Sequence, residues 1–498
     1  MNILLVYPKF PDTFWSFKHA LKFVHKKASS PPLGLLTIAS ILPDKWEKRL
    51  VDMNVQKLKR KLLDWADYVF ISAMTVQRDS AREVILQCNE AGVKVVAGGP
   101  LFTTEYENFE GVDHFILNEA EITLEKFLDD LESGKPGKLY ATSEYADISK
   151  SPTPLWSLIN DKFYATMAIQ YSRGCPFNCD FCYVTALLGH RMRVKTPEQI
   201  IAELDMIYKN GWRSGIFFVD DNLIGNKKVL KNELLPALIE WLKGKSGIYF
   251  HTEVSINLAD DPELMDLMVK AGFNQVFIGI ETPDENNLEE CSKRQNLNRD
   301  MVADVKRIQQ AGMQVQGGFI VGFDHDTPST FQHLIDFIQK SGIATAMVGI
   351  LQAPIGTILY EKMKNAGRLV KNISGDNVDG STNIITLMHI DELKDRYRKL
   401  IRQIYSPDFY YHRVKILLQE YRLPSIKPYI NLDKMWRNFN ALIHSIFQLG
   451  IFGKERKEYW NLFFWTLFNK PRLLAMAITY SIYGYHFRKV SEEHISAY

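Results

Sequence analysis

The sequence has few cysteines and no marked excess of charge of either sign. Of 498 residues only five are cysteine, and 60 basic side chains nearly balance 58 acidic ones. So few cysteines exclude a disulfide framework, and the net charge of +2 gives no reason to expect a nucleic-acid partner. Hydrophobic residues make up 46% of the chain, enough for sizeable buried cores. The length predicts about three domains.

Long apolar runs are also missing. Residues 1–8 are apolar but short and carry no basic leader, which predicts a buried first strand and not a signal peptide. The stretch 460–485 is apolar and aromatic, but the polar segment 469–472 divides it, so it is too short to span a bilayer. The sequence has no internal repeat and no low-complexity tract. We therefore expect a cytoplasmic protein that does not cross the membrane.

Residues 1–140 alternate short apolar runs with helical patterns, which predicts a doubly wound parallel sheet of the Rossmann-like type. The predicted strands are 3–7, 50–53, 68–73, 93–97 and 114–117, and the predicted helices are 33–42, 80–91 and 121–131. Ligands of such sheets bind at the carboxyl ends of the strands. No Gly-x-Gly-x-x-Gly sequence follows the first strand, so nothing indicates a dinucleotide.

Residues 141–164 are a predicted linker, marked by Ser-Pro-Thr-Pro at 151–154. A second alternation of strands and helices then runs to residue 357 and predicts a partial (β/α)6 TIM-like barrel over 165–357. Its predicted strands are 167–172, 215–220, 249–255, 276–281, 315–321 and 346–351, and its predicted helices are 197–210, 227–243, 261–271, 298–311 and 327–341. Residues 358–498 are predicted to be mostly helical and aromatic-rich. The fold class is therefore α/β with a helical C-terminal region.

Three of the five cysteines form the sequence Cys175-x3-Cys179-x2-Cys182. A fully ligated [4Fe–4S] cluster takes four cysteines, so three on one loop would leave one iron open to a substrate or cofactor. A structural zinc site completed by His190 is the alternative, although its usual paired spacings are missing, and three unrelated buried thiols are another. The loop follows the first barrel strand, at the end where barrel enzymes carry out their chemistry. Cys88 and Cys291 are predicted to be ordinary thiols.

This cysteine sequence, with an aromatic residue before its last cysteine, resembles that of the radical SAM (S-adenosylmethionine) superfamily. The resemblance implies that SAM chelates the fourth iron and is cleaved by one electron to a radical that abstracts hydrogen from the substrate. It also implies SAM contacts at Phe181, Asp220, Asp221, Glu253, Ser255, Gly279, Glu281 and Gly317. From the residues alone, an acidic pair at a strand end is also typical of a helix cap, and the glycines could serve tight packing.

A Rossmann-like domain ahead of such a barrel resembles the cobalamin-binding subgroup of radical SAM enzymes. The resemblance implies cobalamin contacts at Ser72, Thr75, Gly98, Gly99 and Glu119. The loop after the first strand lacks the Asp-x-His-x-x-Gly sequence of methionine-synthase-like domains, and His19 and His25 stand in another context. We therefore expect cobalamin without a protein histidine on cobalt and with its dimethylbenzimidazole displaced. A generic flavodoxin-like or nucleotide-binding domain is the alternative.

The three-part layout is most similar to that of the hopanoid C-2 methylases, the bacteriochlorophyll methylases and archaeal lipid-modifying homologues. Residues 293–296 and 352–357 also fit the sequence pattern of this group. The resemblance implies a cobalamin-dependent (class B) methyltransferase that acts on an unactivated carbon of a lipid or tetrapyrrole-like substrate. It also implies an electron donor such as flavodoxin or ferredoxin. A cobalamin-binding radical SAM enzyme for cyclisation, carbon–carbon coupling or oxidation is one alternative, and a corrinoid- or redox-sensing module is another. No residue separates methylation from the other radical chemistries.

The last quarter of the chain combines aromatic with basic side chains and allows two interpretations. With Lys454, Arg456, Lys457, Lys470 and Arg472 it could lie peripherally on the inner face of the membrane. Alternatively the aromatic side chains form the core of a helical cap over the barrel, which we expect because core packing is their commoner use. The side chains concerned are Trp436, Phe439, Phe447, Phe452, Trp460, Phe463, Phe464, Trp465 and Phe468.

Overall fold

Two parallel sheets follow one another along the chain and are succeeded by helices. The computed structural model describes residues 1–370, 373–376, 379–424 and 432–495. Each of the two sheets has six strands, and a short antiparallel pair lies between them in sequence. The predicted α/β class, with a Rossmann-like domain, a barrel-like domain and C-terminal helices, is confirmed.

The first sheet has the strand order β2-β1-β3-β4-β5-β6, and all its neighbouring strands are parallel. Its strands are β1 (Asn2–Tyr7), β2 (Glu47–Asp52), β3 (Tyr68–Ser72), β4 (Lys94–Gly98), β5 (His114–Ile116) and β6 (Leu139–Tyr140). The accompanying helices are α1 (Lys18–Leu21), α2 (Leu33–Ile41), α3 (Arg60–Leu63), α4 (Arg78–Ala91), α5 (Pro100–Glu105) and α6 (Ala120–Glu132). Helices cover both faces, so β1 is buried from residue 3 to residue 6.

The sixth strand was not predicted. Strand β6 is only two residues long, and the side chain of Leu139 is exposed, so it gives no hydrophobic pattern. Its pairing is made by the backbone, through the N–H groups of Phe115 and Leu117 and the carbonyls of Lys138 and Tyr140. The predicted linker therefore begins directly after the last strand of the first sheet.

The second sheet is the partial barrel, with the order β14-β13-β12-β11-β10-β7 and parallel neighbours throughout. Its strands are β7 (Met167–Ile169), β10 (Gly215–Phe218), β11 (Tyr249–Val254), β12 (Phe273–Glu281), β13 (Gln314–Val321) and β14 (Ala346–Ile350). Its helices are α7 (Tyr183–Leu188), α8 (Pro197–Lys209), α9 (Lys227–Val229), α10 (Leu235–Leu242), α11 (Pro262–Lys270), α12 (Glu285–Glu290), α13 (Met301–Ala311) and α14 (Pro328–Ser341). The helix predicted over 227–243 is interrupted by a π turn at Leu230–Leu234, just ahead of Pro236, which lacks a backbone donor.

Further helices follow the second sheet, and the last of them packs at the amino-terminal ends of its strands. They are α15 (Ile358–Asn365), α16 (Ile390–Ile404), α17 (Pro407–Glu420), α18 (Leu432–Ser445), α19 (Arg456–Asn469) and α20 (Leu474–Val490). The hydroxyl of Tyr480 on α20 donates to the side-chain oxygen of Gln314, the first residue of β13, at 2.8 Å. Phe487 of α20 stacks on Phe14, which follows β1, with ring centroids 4.1 Å apart. Helix α20 thus joins the N-terminal domain to the base of the barrel.

Phe463 is half-buried, and the other C-terminal aromatic side chains named above divide into two groups. Trp460 and Trp465 pack against the core, and the indole N–H of Trp460 donates to the carbonyl of Gly450. The remaining large exposed rings of α18, α19 and the turn between them are those of Trp436, Phe439, Phe447, Phe452, Phe464 and Phe468. The predicted core role is therefore wrong for these six, of which Phe468 is 78% exposed. No described helix is long and apolar enough to cross a membrane.

Candidate cluster and cofactor site

The cysteine loop is held at both ends by a short antiparallel hairpin that the sequence did not reveal. Strand β8 (Ser172–Arg173) pairs with β9 (Arg193–Val194). Gly174 has φ +95°, and a Cβ there would lie 2.6 Å from the carbonyl of Arg191, so a side chain is excluded. The N–H of Cys175 bonds to the carbonyl of Gly189, which closes the loop. The hairpin therefore fixes the three cysteines ahead of α7.

Side-chain amides point at two of the three thiols. Asn222 Nδ2 lies 3.8 Å from Cys175 Sγ, and Gln295 Nε2 lies 3.6 Å from Cys179 Sγ. Burial raises the pKa of the Cys182 thiol to about 11 and also raises that of Cys179, so thiolates here need positive charge beside them. A soft iron–sulfur cluster supplies it, and N–H donors around the sulfurs suit such a group. The donor set fits a [4Fe–4S] cluster.

A zinc site is not supported. Among the described residues no three His, Cys, Asp or Glu side chains lie close enough to chelate one ion, and His190 is exposed. The ligands of a cubane cluster bind separate irons and stand further apart than the ligands of one zinc ion.

Asp220, a predicted SAM contact, holds the chain that leads into the hairpin. Its carboxylate accepts hydrogen bonds from the backbone N–H of Tyr171 at 3.0 Å and from both the N–H and the hydroxyl of Ser172. The side chain is fully buried, and burial raises its pKa to about 7. Both carboxylate oxygens are therefore engaged by the protein.

The neighbouring predicted SAM residues form an acidic and amide-rich group at the carboxyl ends of β10 and β11. Burial raises the pKa of Asp221 to about 6 and that of Glu253 to about 8, the latter with a contribution from Asp221. The hydroxyl of Ser255 donates to Asn257 Oδ1 at 2.7 Å, and the Ser255 N–H donates to Asn222 Oδ1 at 3.3 Å. Carboxylates and amides in this arrangement could bind the ammonium and hydroxyl groups of SAM.

At the end of β12, Glu281 forms a buried ion pair with Lys293 at 2.7 Å. A Cβ on Gly279 would lie 2.3 Å from Glu281 Oε1, so the ion pair occupies the space a side chain would need. A Cβ on Gly317 would lie 2.8 Å from the ring of Phe319, which is a packing reason for that glycine. Phe181 packs against the apolar cluster that contains Cys291. Of these predicted SAM residues, Glu281 is thus tied to another protein side chain.

The predicted cobalamin residues Ser72, Gly98 and Gly99 lie together at the carboxyl ends of β3 and β4. Gly99 has φ +89°, and a Cβ there would stand 2.6 Å from Ser72 Oγ; a Cβ on Gly98 would stand 2.6 Å from the carbonyl of Ile116. Thr75 follows β3, and its own Cβ lies 2.9 Å from where a Cβ of Gly375 would be. Glycine is required at 98 and 99 because protein atoms already occupy the space of a side chain there. We call this glycine-containing carboxyl edge of β3 and β4 the cradle, since ligands of doubly wound sheets bind at such an edge.

Glu119, also a predicted cobalamin contact, belongs to an ion network between the domains. Arg173 lies 2.8 Å from Glu119 and 2.7 Å from Glu121, and Arg193 lies 2.6 Å from Glu119. Although burial acts to raise it, Arg173 lowers the pKa of Glu121 to about 2. Because both arginines lie on the β8–β9 hairpin, the network fixes the cysteine loop against the carboxyl edge of the first sheet.

A second contact joins the same two regions. The hydroxyl of Tyr183, the residue after Cys182, donates to the carbonyl of Pro100 at 3.1 Å and lies 2.9 Å from Thr104 Oγ1. Pro100 directly follows Gly99. The cysteine loop and the bare backbone of the cradle therefore face each other across the domain interface.

The loop after β1 turns away to the C-terminal helices. His19 Nε2 lies 3.2 Å from Glu493, and the ring of His25 lies 5.6 Å from that of His444. Both histidines contact residues of that region, and the absence of a protein histidine on cobalt stays a prediction.

Sequence reasoning missed several residues that build the site. Arg173, Arg193 and Tyr183 act through contacts with residues far along the chain, and nothing in the local pattern indicates them. The segment 293–296 was noted as a group pattern, but its contacts with Glu281 and Cys179 become visible in the fold.

Comparison with known families agrees with this geometry. Residues 169–338 match the radical SAM superfamily, residues 25–128 match the B12 binding domain, and residues 357–498 match a domain of unknown function, DUF4070. The match to the B12 binding domain argues against the alternative of a generic flavodoxin-like or nucleotide-binding first domain. The fold and site define a cobalamin-binding radical SAM enzyme, which needs SAM, a [4Fe–4S] cluster, cobalamin, a substrate and a reductant.

Relatives that match most of the chain show which family it belongs to. An uncharacterized methyltransferase of Synechocystis sp. is 37% identical over 99% of this chain and 92% of its own, and the hopanoid C-2 methylase of Rhodopseudomonas palustris is 32% identical over 100% and 95%. The bacteriochlorophyllide d C-12(1)-methyltransferase of Chlorobaculum tepidum is 24% identical over 77% and 84%. The chain belongs to the family of cobalamin-dependent radical SAM methyltransferases.

Two solved structures share the fold. The cobalamin-dependent radical enzyme OxsB, with aqua-cobalamin and SAM bound, has a TM-score of 0.62 at 15% identity over 99% of this chain and 84% of its own. The radical SAM methyltransferase TsrM of Kitasatospora setae, with cobalamin and a [4Fe–4S] cluster bound, has a TM-score of 0.58 at 14% identity over 93% and 98%.

Proposed function

We propose that this enzyme methylates an unactivated carbon of a lipid-like polycyclic substrate held between the cluster and cobalamin. The observation that carries the proposal is the domain interface, where the arginines of the cysteine hairpin bind Glu119 and Glu121 beside the cradle. This contact supports the proposal because methyl transfer requires the two cofactor sites to lie side by side.

Cys175, Cys179 and Cys182 hold the cluster, and Asp221, Glu253 and Ser255 bind SAM. Ser72, Thr75, Gly98 and Gly99 line the cobalamin cradle, while Asp220 and Glu119 position the loops between these sites. When bound, the cluster and SAM supply hydrogen abstraction and cobalamin supplies the methyl group. The part of the protein is to orient these groups and to keep water away from the reacting carbon.

The interior of the barrel supports an uncharged, apolar substrate. Trp15, from the loop after β1, contacts Phe277 of β12 with ring centroids 5.2 Å apart. Phe217 and His251 stack at 4.8 Å, and burial lowers the pKa of His251 to about 4, so this histidine is neutral at physiological pH. Flat aromatic surfaces of this kind suit a rigid hydrocarbon skeleton. The relative named hopanoid C-2 methylase makes a hopanoid the first substrate to test.

Methyl transfer is tested by product analysis. The reconstituted enzyme is incubated anaerobically with SAM, hydroxocobalamin, a low-potential reductant and a hopanoid. We expect S-adenosylhomocysteine and 5′-deoxyadenosine in similar amounts, with a substrate heavier by one CH2 unit. Cys182→Ala is the control and should give none of these products. Formation of 5′-deoxyadenosine without S-adenosylhomocysteine would contradict methylation and favour another radical reaction.

The electron donor is a flavodoxin or a ferredoxin. The cysteine loop reaches the surface at Pro176 and Asn178, which are exposed while the adjacent Cys179 is buried. A small redox protein can approach the cluster at this surface.

The exposed aromatic side chains of the C-terminal region dock on an anionic membrane. We call Trp436, Phe439, Phe447, Phe452, Phe464 and Phe468 the apolar patch; Phe464 and Phe468 stack along one face of α19. Three exposed cations, Lys454, Arg456 and Lys457, lie within five residues after Phe452. Rings that insert beside cations that bind lipid headgroups are typical of interfacial helices.

Liposome flotation tests this docking. The wild-type protein should float with anionic liposomes and be partly released as salt rises, since each cation near the surface contributes about 1 kcal/mol. Phe464→Ala/Phe468→Ala should abolish flotation without lowering the melting temperature, because both rings are exposed. Leu462→Ala is the control: Leu462 is buried on the same helix, so its truncation should cost about 2–5 kcal/mol of stability. A wild-type protein that stays unbound at low salt would refute the docking.

A further inference from the structure

The segment 291–296 packs against both the cysteine loop and the end of β12. The carbonyl of Cys291 accepts a hydrogen bond from the N–H of Asp180 at 3.0 Å. Gln295 Nε2 lies 3.6 Å from Cys179 Sγ. The side-chain amide of Asn296, which is buried, donates to the carbonyls of Gly279 at 3.2 Å and Ile280 at 3.0 Å. These contacts fix the segment beside the sulfur of a candidate cluster ligand.

Lys293 lies within this segment and is a buried cation. Its ammonium pairs with Glu281 at 2.7 Å, and the two side chains are 11% and 9% exposed. The ammonium also lies 5.9 Å from the centre of the Phe181 ring, which stands between Cys179 and Cys182 in the sequence. Burying an ion pair is expensive in desolvation and is poor evidence of a purely stabilising role. The pair therefore invites a functional explanation.

The backbone around the pair is adapted to hold it. Glu281 has φ +64°, a left-handed conformation that residues other than glycine adopt where the surroundings enforce it. The missing side chain of Gly279 leaves room for both charged groups, since a Cβ there would lie 2.3 Å from the Glu281 carboxylate and 2.9 Å from the Lys293 ammonium. Strain and a close approach at one point are typical of a functional site.

We propose that Lys293 and Gln295 are positioning residues that raise the reduction potential of the cluster, with Glu281 fixing the Lys293 ammonium and offsetting part of its charge. The inference rests on the proposed ligation by Cys175, Cys179 and Cys182. Reduction of a bound cluster by one electron from a low-potential donor would make the site more negative by one charge. A nearby cation and an N–H donor to sulfur stabilise that reduced state.

Lys293 and Glu281 carry opposite charges 2.7 Å apart beside the cysteine loop, and the Lys293 ammonium lies 5.9 Å from the centre of the Phe181 ring within that loop. Removing the cation and removing the anion should therefore shift the potential in opposite directions.

A redox titration of the reconstituted full-length protein, followed by electron paramagnetic resonance of the reduced cluster, tests this. At a fixed potential, Lys293→Met should lower the ratio of reduced to oxidised cluster about tenfold. This corresponds to a reduction potential lower by about 59 mV for a one-electron couple. Gln295→Leu should lower the ratio by a smaller factor, and Glu281→Gln should raise it. Lys293→Arg keeps the cation and should restore most of the wild-type ratio.

Arg294→Gln is the matched control, because Arg294 is exposed in the same segment and should leave the potential unchanged. Iron content and melting temperature of every variant are measured first. If Lys293→Met loses the cluster, Gln295→Leu and Glu281→Gln decide the question by the direction of their shifts. Wild-type potentials in these variants at full iron content would overturn the proposal. Failure of the cysteine assignment is distinct, because Cys179→Ala would then keep its iron.

Discussion

Replacing Cys175, Cys179 or Cys182 with alanine should reduce the iron content of the anaerobically reconstituted protein from about four atoms per chain to nearly none. A cubane cluster with three protein ligands has no spare thiolate, so each single loss removes a third of its anchorage. Iron and sulfide are measured per chain, together with the visible absorbance of the cluster. Circular dichroism should be close to that of the wild-type protein, because these thiols lie in a loop that the β8–β9 hairpin holds by backbone bonds.

The two other cysteines serve as controls, and Cys291 is the more demanding of the two. Cys88 is fully buried in α4, within the core of the first domain, and Cys88→Ala should keep all the iron. Cys291→Ala is the sharper control, because the Cys291 carbonyl binds the N–H of Asp180, next to Cys179. The backbone bond survives the substitution, so iron should again be retained. Loss of iron in Cys291→Ala as complete as in Cys179→Ala would show that the ligand set is wrong, and one zinc per chain would favour the zinc alternative.

Much of the architecture could be predicted because both sheets are parallel and buried. Continuous apolar strands such as β1 and β3 separate clearly from amphipathic helices such as α14, so the longer strands and their order along the chain follow from the pattern. Strands β6, β8 and β9 were missed because each is two residues long and is held by backbone pairing. Hydrophobic periodicity carries no information at that length.

Of the site, the candidate cysteine ligands alone could be predicted from local sequence. Cysteine spacing is a local property, whereas the partners of each charged residue depend on the fold. Glu119 was expected to touch cobalamin, but its carboxylate is taken by Arg173 and Arg193, which follow it by 54 and 74 residues. Asp220 likewise binds the backbone at residues 171 and 172. Long-range pairing of this kind has no periodic trace in a single sequence.

The exposure of the C-terminal rings could not be predicted from composition. An aromatic-rich helix is as compatible with a core as with an interface, and α19 carries both: Trp465 packs inward beneath Lys415, while Phe464, one residue earlier, is 48% exposed. A helix with aromatic side chains on several faces gives no clear amphipathic pattern, so the fold alone decides which face is buried.

Filling the cradle at the carboxyl ends of β3 and β4 should remove cobalamin while leaving the iron in place. In Gly99→Val the new Cβ would stand 2.6 Å from Ser72 Oγ and 3.3 Å from the carbonyl of Ala73, so the edge of the sheet at the cradle must shift. Overpacking of this size costs about 1–3 kcal/mol, and if this cost falls on the bound state, binding weakens roughly 5- to 150-fold. Ser72→Phe adds bulk from a regular strand position and should have the same effect without backbone strain.

Cobalamin retained per chain is measured by absorbance after gel filtration, and the dissociation constant by titration. Gly134→Val is the matched control: Gly134 also has positive φ, at +75°, but nothing lies within 4 Å of its Cβ position. It carries a similar backbone strain in the same domain, so it should bind cobalamin as the wild-type protein does. Loss of cobalamin in this control would mean that strain, and not the cradle, explains the Gly99 variant. Normal binding by both Gly99→Val and Ser72→Phe would place the cofactor elsewhere, and the facing arrangement of cluster and cobalamin across the Arg173–Glu119 interface would then fail as the basis of methyl transfer.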